Sequence, residues 1–340
     1  MIYINDLTFE EMKEYIKKIG EKPFRAEQLF RFFNSEKKLN LNESSNLPKS
    51  LRDLDVSKIK IHKIFNSELD ETKKFLFSLD DGNLIEGVLM KYKYGYAQCI
   101  STQVGCRMNC SFCASTKKGL VRNLRPSEML GQIYQVEKAF DINVSNVILM
   151  GSGEPFDNFD NLLKFLEIIH DEKGHNMSYK NITISTCGIS PKIYELADYN
   201  KKITLALSLH NPFNEERKKI MPIAKKYDIN EVIKACKYYE EKTGTRVTFE
   251  YTLIDGVNNK DAHANELSKL LKGMRSHLNI IPLNPIEEYQ EKRPDRKKVE
   301  DFKNKMNKLG LNATIRRELG SDISASCGQL KRSSEVEHWK

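Results

Sequence analysis

The chain has 340 residues, 39% of them hydrophobic and 30% charged, with a formal net charge of +8. That length supports one large core plus a small accessory unit, and no apolar run approaches the roughly 18 residues that a membrane span needs. The opening MIYINDLTFEEMKEY is acidic and amphipathic, so no secretory leader is expected, and seven cysteines, three of them packed into one short stretch, favour a metal or redox site in a reducing, cytoplasmic setting over a disulfide framework.

Residues 1–65 read as a small helical accessory unit. Thr8 precedes FEEMKEYIKKIG, where Phe9, Met12, Tyr15 and Ile16 recur at helical spacing and Gly20 is a stop. FRAEQLFRFFN repeats the pattern, with Phe24, Leu29, Phe32 and Phe33 on one face among Arg25, Arg31, Lys37 and Lys38. A compact basic module of this kind suits RNA, and it equally suits a solvated cap on the main domain.

Residues 66–98 form an extension in which KKFLFSLDDGNLIEGVLMKY reads as a β-hairpin turning at residues 80–83, where Gly82 and Asn83 suit a tight turn. Residues 99–335 then alternate strands and helices. YAQCIST, NVILM, NITIST, ITLALSL, VTFEYTLI, NIIPL and NATIRR read as strands, and 127–140, 158–171, 230–242, 261–272 and 296–309 as helices. Such alternation implies βαβ units and a parallel sheet. About six units are too few for a complete eight-fold barrel, so the expected fold is α/β, a partial (β/α)6 barrel with a helical N-terminal domain.

In that fold chemistry collects at the C-terminal strand ends, and polar clusters fall there: GSGEP after NVILM, Ser185 in NITIST, Ser208-Leu209-His210 after ITLAL, and Asn284 after NIIPL. In CISTQVGCRMNCSFC, Cys106, Cys110 and Cys113 have C-x3-C-x2-C spacing, with Cys99 seven residues upstream. Three thiolates can hold a metal or cluster and leave one coordination position open for chemistry. A structural zinc site needs a fourth ligand and usually a second C-x-x-C, and none is nearby. Gly153 lets backbone approach a ligand closely while Glu154 accepts from an ammonium group, although GxGEP alone most often marks a turn. On their residues alone, Ser185 and Ser208 read as helix caps, Glu86 as a surface strand position, and Cys99, Cys187, Cys236 and Cys327 as core cysteines.

The cysteine triad, with Phe112 before its last member, resembles the radical S-adenosylmethionine superfamily, whose three cysteines hold a 4Fe-4S cluster. LMKYKYGYAQCISTQVGC, VRNL, GEPFDN, ITISTCGI, LSLHNP, RKKIMPI and RRELGSDISASCGQL, together with FRAEQLF near the start, resemble the RlmN/Cfr family of rRNA methyltransferases over nearly the whole chain. GEPFDN is closer to the branch that makes 2-methyladenosine than to the branch acting at C8. Ser152 departs from the family, which often has methionine there. The resemblance implies one 4Fe-4S cluster per chain on Cys106, Cys110 and Cys113. It implies two S-adenosylmethionine molecules per methylation, bound by Gly153, Glu154, Ser185, Ser208, Leu209, His210 and Asn284. It implies Cys327 as the methyl carrier, Cys99 as the thiol that resolves a protein–RNA adduct through a disulfide, and Glu86 as proton acceptor. The implied partners are 23S rRNA, tRNA beside the anticodon, and a flavodoxin- or ferredoxin-like electron donor, for a monomer away from membranes. Cys187 and Cys236 keep structural roles. Competing readings are a C8 methyltransferase, a radical activase that modifies a protein, and a non-catalytic iron–sulfur RNA-binding module.

Overall fold

The computed structural model describes residues 2–330, so residues 331–335 of the expected barrel segment lie outside the described part. Helices α1 (Phe9–Lys18) and α2 (Phe24–Asn34), with the single turn α3 (Lys49–Arg52), form the N-terminal unit. Thr8 and Glu11 cap α1 reciprocally: the Thr8 hydroxyl accepts from Glu11 N, and the Glu11 carboxylate accepts from Thr8 N at 3.0 Å. Met12, Ile16, Leu29, Phe32, Phe33 and Leu51 make a small core of their own. The unit is fastened to the rest of the chain by Phe30, which is buried in the main core, and by polar contacts: Lys37 Nζ lies 2.8 Å from Glu137, and Ser127 N donates to Asp6 at 3.0 Å.

Strands β1 (Ile59–Asn66), β2 (Lys73–Leu79), β3 (Leu84–Tyr92) and β4 (Gly95–Cys99) are antiparallel neighbours. The reading of residues 1–65 as wholly helical misses β1. Its alternation of Ile59 and Ile61 with lysines is interrupted by a bulge between Ile61 and Lys63, which shifts Ile64 out of a strict two-residue period. A two-stranded ribbon, β5 (Gln103–Gly105) and β6 (Leu120–Asn123), flanks the cysteine loop.

From β4 onward the sheet is parallel, through β7 (Val144–Leu149), β8 (Ile182–Thr186), β9 (Thr204–Ser208), β10 (Val247–Leu253), β11 (Ser276–Pro282) and β12 (Ala313–Ile315). The ten-stranded order β1-β2-β3-β4-β7-β8-β9-β10-β11-β12 has two ends, so the barrel is partial, as the spacing of elements predicts. Helices α4 (Pro126–Phe140), α5 (Phe159–His170), α6 (Ser190–Tyr199), α7 (Asn214–Ile220), α8 (Ile229–Thr243), α9 (Asp261–Leu270) and α10 (Arg296–Lys308) fill the crossovers. The five helices read from the sequence fall within two residues of these bounds. Helices α6 and α7 are additions, short and without a long apolar stripe.

The main core lies between the sheet's outer face and these helices. The other face receives the C-terminal segment. Val88, Met90, Ala97 and Cys99 pack there against Leu319 and Leu330, which explains why β3 is buried on both sides through Met90. No helix among the described residues is long and apolar enough to cross a membrane.

Candidate active site

A cavity of about 150 Å³ opens at the C-terminal strand ends, lined by Cys106, Cys110, Cys113, Cys187 and Cys327 together with Gly153, Glu154, Ser185, Ser208, His210 and Asn284. Residues from opposite ends of the chain thus share one wall. The loop carrying the triad is held from both sides: Ser111 N donates to Ile220 O at 3.0 Å, and Ala114 N donates to Gly328 O at 2.8 Å.

Burial pushes the Cys106 thiol up to about 12 and raises Cys110 and Cys113 as well, with the neighbouring thiols adding to the rise. Three mutually repelling thiolates are stable only with a cation or cluster among them. Among the described residues no three His, Cys, Asp or Glu side chains form a group that could hold a single ion. Cys106, Cys110 and Cys113 would instead hold a polynuclear cluster, which would supply one-electron chemistry in this cavity. The buried cation Arg217 fits the charge of such a group. Its Nε donates to Leu209 O at 3.0 Å, and its Nη2 donates to Cys187 O at 2.7 Å and Ser208 O at 3.0 Å. Its Nη1 is buried without a hydrogen-bond partner, with Cys110 in its field.

Glu154 is 4% exposed and receives two backbone N–H groups, from Cys187 at 2.7 Å and Phe156 at 3.1 Å. Burial raises its pKa while these donors oppose the rise, a poise suited to meeting an ammonium group. Gly153 has φ +109, and a Cβ there would lie 2.8 Å from Gln103 N, so only glycine lets the loop close on β5. Ser152 is buried, its hydroxyl 3.1 Å from that of Ser115 and its carbonyl accepting from Thr102 and Gln103, so the smaller residue leaves the loop backbone bonded.

His210 has φ +55 and accepts at Nδ1 from Thr252 N at 2.9 Å, so the neutral ring carries its proton on Nε2. Burial and Arg217 lower its pKa to about 3, and its ring packs edge-on to Phe112 at 4.8 Å between centroids. Leu209 does not line the cavity: its side chain is in the core, its N donates to Glu250 O at 3.0 Å and its carbonyl accepts from Arg217. Asn284 donates to Cys327 O at 3.0 Å.

Cys99 lies at the end of β4, beneath the C-terminal segment, 8% exposed. Burial first, and the nearby Cys327 sulfur second, push its thiol up to about 12, while the Arg316 guanidinium pulls the other way. Arg316 lines the cavity with Cys327, donates to Met150 Sδ at 3.3 Å, and lies 3.5 Å from Glu250, which in turn accepts from Asn279 at 2.8 Å. Of the two adjacent arginines only Arg317 is exposed. Glu86 is 1% exposed, 3.5 Å from Lys74 Nζ and on the strand face that includes Val88 and Met90, and it is not among the residues that line the cavity.

Cys187, read as structural, turns out to be a wall of the cavity, whereas Cys236 is fully buried on α8. Arg217 and Glu250 were missed by the sequence reading. Arg217 had a signal: it stands three and four residues before Ile220 and Met221, on the apolar face of α7 rather than among the exposed lysines.

Two family models match the chain: the Radical SAM superfamily over residues 100–267, and the ribosomal RNA large subunit methyltransferase N-terminal domain over residues 2–59. A "probable dual-specificity RNA methyltransferase RlmN" of Lachnospira eligens is 51% identical, covering 97% of this chain and 96% of that protein. The protein of the same description from Clostridioides difficile is 50% identical over 97% of this chain and 98% of its own length. The crystal structure of a radical SAM methyltransferase from Sphaerobacter thermophilus has a TM-score of 0.92 at 39% identity, covering 97% of this chain and 99% of that one.

Proposed function

The chain belongs to the RlmN family of radical S-adenosylmethionine RNA methyltransferases, and from that membership we propose that it makes 2-methyladenosine, in 23S rRNA at the peptidyl-transferase centre and in tRNA beside the anticodon. One observation carries the reading. Cys327 lines the cavity of the three loop cysteines and also lies near Cys99, with the Arg316 charge felt by both sulfurs. A generator of radicals alone has no use for that second sulfur pair.

Cys106, Cys110 and Cys113 hold the 4Fe-4S cluster in this scheme. Glu154 receives the cofactor's ammonium group, with Gly153, Ser185, Ser208, His210 and Asn284 completing the pocket. When bound, cluster and cofactor supply the one-electron chemistry that adenine C2, an electron-poor carbon without an acidic proton, requires. Cys327 carries the methyl group on its sulfur, having lost its thiol proton to gain it. Once that carbon is joined to C2, Glu86 accepts the C2 proton. The Cys99 thiolate then attacks the Cys327 sulfur, forming an S–S bond as the S–C bond breaks; the departing carbon keeps the electron pair, delocalised into the adenine ring, and takes up a proton to become the C2 methyl group. An external reductant returns the pair to thiols, and an electron donor of the flavodoxin or ferredoxin class is a further partner.

Arg31 and other cations of the N-terminal unit, with Arg317, hold backbone phosphates. Anaerobic reconstitution with labelled cofactor and an rRNA fragment, followed by nucleoside separation, tests the proposal. Labelled 2-methyladenosine is expected. Label in 8-methyladenosine, or in protein alone, would overturn it.

A further inference from the structure

The turn joining β3 to β4 reads KYKYGY, aromatic and basic residues in alternation, and no step above uses it. Tyr92 ends β3 and pairs in register with Gly95, leaving Lys93 and Tyr94 as the tip. The Tyr92 and Tyr94 rings stack with centroids 5.1 Å apart and planes 6° from parallel. Tyr92 is half-buried and packs on the cluster of side chains that includes Val88, Met90 and Cys99. Tyr94 is 66% exposed. Two stacked rings therefore lead from the Cys99 region outward to solvent.

An exposed tyrosine at a hairpin tip adds little to a core. Held parallel by a ring that is itself anchored, it presents a flat π-face with its orientation already fixed, so a base that stacks on it orders little further. The tip also has the charge that a nucleic acid needs. Lys91 and Lys93 are exposed, and Arg317 lies beside Tyr92 on the wall of a second small cavity that also includes Cys327. That cavity is about 40 Å³, the space of a water molecule and far short of a nucleobase. On the Tyr92 side of Cys327, then, there is no room inside for the base of a neighbouring nucleotide, and the surface open to it there is the outer one.

We propose that the Tyr92–Tyr94 pair is a stacking platform for an unpaired nucleobase of the substrate RNA, adjacent to the adenosine presented to Cys327, with Lys93 and Arg317 taking the neighbouring phosphates. The inference rests on the reading of Cys327 as the group that meets the target adenosine. Stacking of this kind is tolerant of sequence, because every base has a π-face, and it suits an enzyme whose substrates share an unpaired adenosine in different surroundings.

The test uses the full-length protein and an RNA stem-loop with an unpaired target adenosine. 2-Aminopurine replaces the nucleotide on either side of the target, one position at a time, and fluorescence is read on binding. Quenching at one of the two positions is expected with the wild-type chain. Tyr94→Ala should abolish that quenching and weaken binding about five- to hundredfold, the range for one stacked base. The salt dependence of binding should stay as in wild type, since no phosphate contact is removed, and Tyr94→Trp should restore both signals. Unchanged quenching and affinity in Tyr94→Ala would overturn the platform alone. A wild-type chain that binds the stem-loop but methylates no adenosine in it would overturn the function reading first, and the platform with it.

Discussion

Asn284 donates through Nδ2 to the backbone carbonyl of Cys327 at 3.0 Å. Asn284 follows β11, so this bond ties the barrel rim to the segment bearing the Cys327 sulfur. Gly328 O accepting from Ala114 N at 2.8 Å ties the same segment to the cysteine loop. Cys327 is thereby positioned by its backbone, which leaves the sulfur free to react. Asn284→Ala removes a bond worth about 1 kcal/mol and should leave the fold intact. Methyl loading of Cys327, read as a methyl-sized mass on the C-terminal peptide, should slow about tenfold. Loading at the wild-type rate would show that the bond does not position the sulfur.

Arg217 reaches the same site from below. It is fully buried and serves three carbonyls, two of them on the Ser208–Leu209 strand end and the third on Cys187. Arg217→Met would leave those acceptors without a donor, at about 1–3 kcal/mol for each that finds no replacement. A fall in Tm of about 5–10 °C is expected in the metal-free protein, with Arg217→Lys falling less because it keeps the charge and one or two of the bonds. Equal Tm values for the methionine variant and wild type would mean that the carbonyls are satisfied without the guanidinium.

Glu154 gives the site a pH dependence. Burial raises its pKa above 4.5, against the pull of the Cys187 and Phe156 amides. Binding an ammonium group needs the carboxylate, so cofactor affinity should fall as the pH drops through the raised value. Fold stability runs the other way: the contribution from this group is full below 4.5 and lost as the pH rises through the folded pKa. Isothermal titration of S-adenosylmethionine between pH 5 and 8 should show the wild-type slope. Glu154→Gln should bind at least tenfold more weakly at pH 7.5 and show little of that slope. A Glu154→Gln variant that binds as tightly as wild type at pH 7.5 would remove Glu154 from the ammonium site.

What could be read from the sequence follows the range of each interaction. The cysteine triad, the GSGEP turn and the Thr8 cap are local, and their spacing fixes them on a loop or a helix end. The parallel sheet was legible because its strands and helices alternate with regular lengths. Cys99 with Cys327, and Glu86 with Lys74, depend on which strands and segments become neighbours, and no local period records that. Resemblance alone linked the sulfur pair. Arg217 was hidden by the run of lysines after it, although its spacing to Ile220 and Met221 placed it on the buried face.

The state of Cys99 supplies the last expectation. Burial and the neighbouring Cys327 push its thiol up to about 12, with Arg316 limiting the rise. The stability associated with this raised value is full below 9 and is lost as the pH climbs toward 12. At pH 8 the folded protein therefore holds Cys99 as a thiol, unreactive until substrate chemistry calls for it. Iodoacetamide at that pH should label the half-buried Cys327 well before Cys99, and Arg316→Met should slow labelling of Cys99 further by removing the charge that favours its thiolate. Under the proposed scheme, Cys99→Ala leaves the S–C bond between Cys327 and the adenosine with no sulfur to break it. The variant should accumulate a covalent protein–RNA adduct, visible as a band of retarded mobility that survives denaturation. A variant that turns over without adduct would assign the release step to some other group.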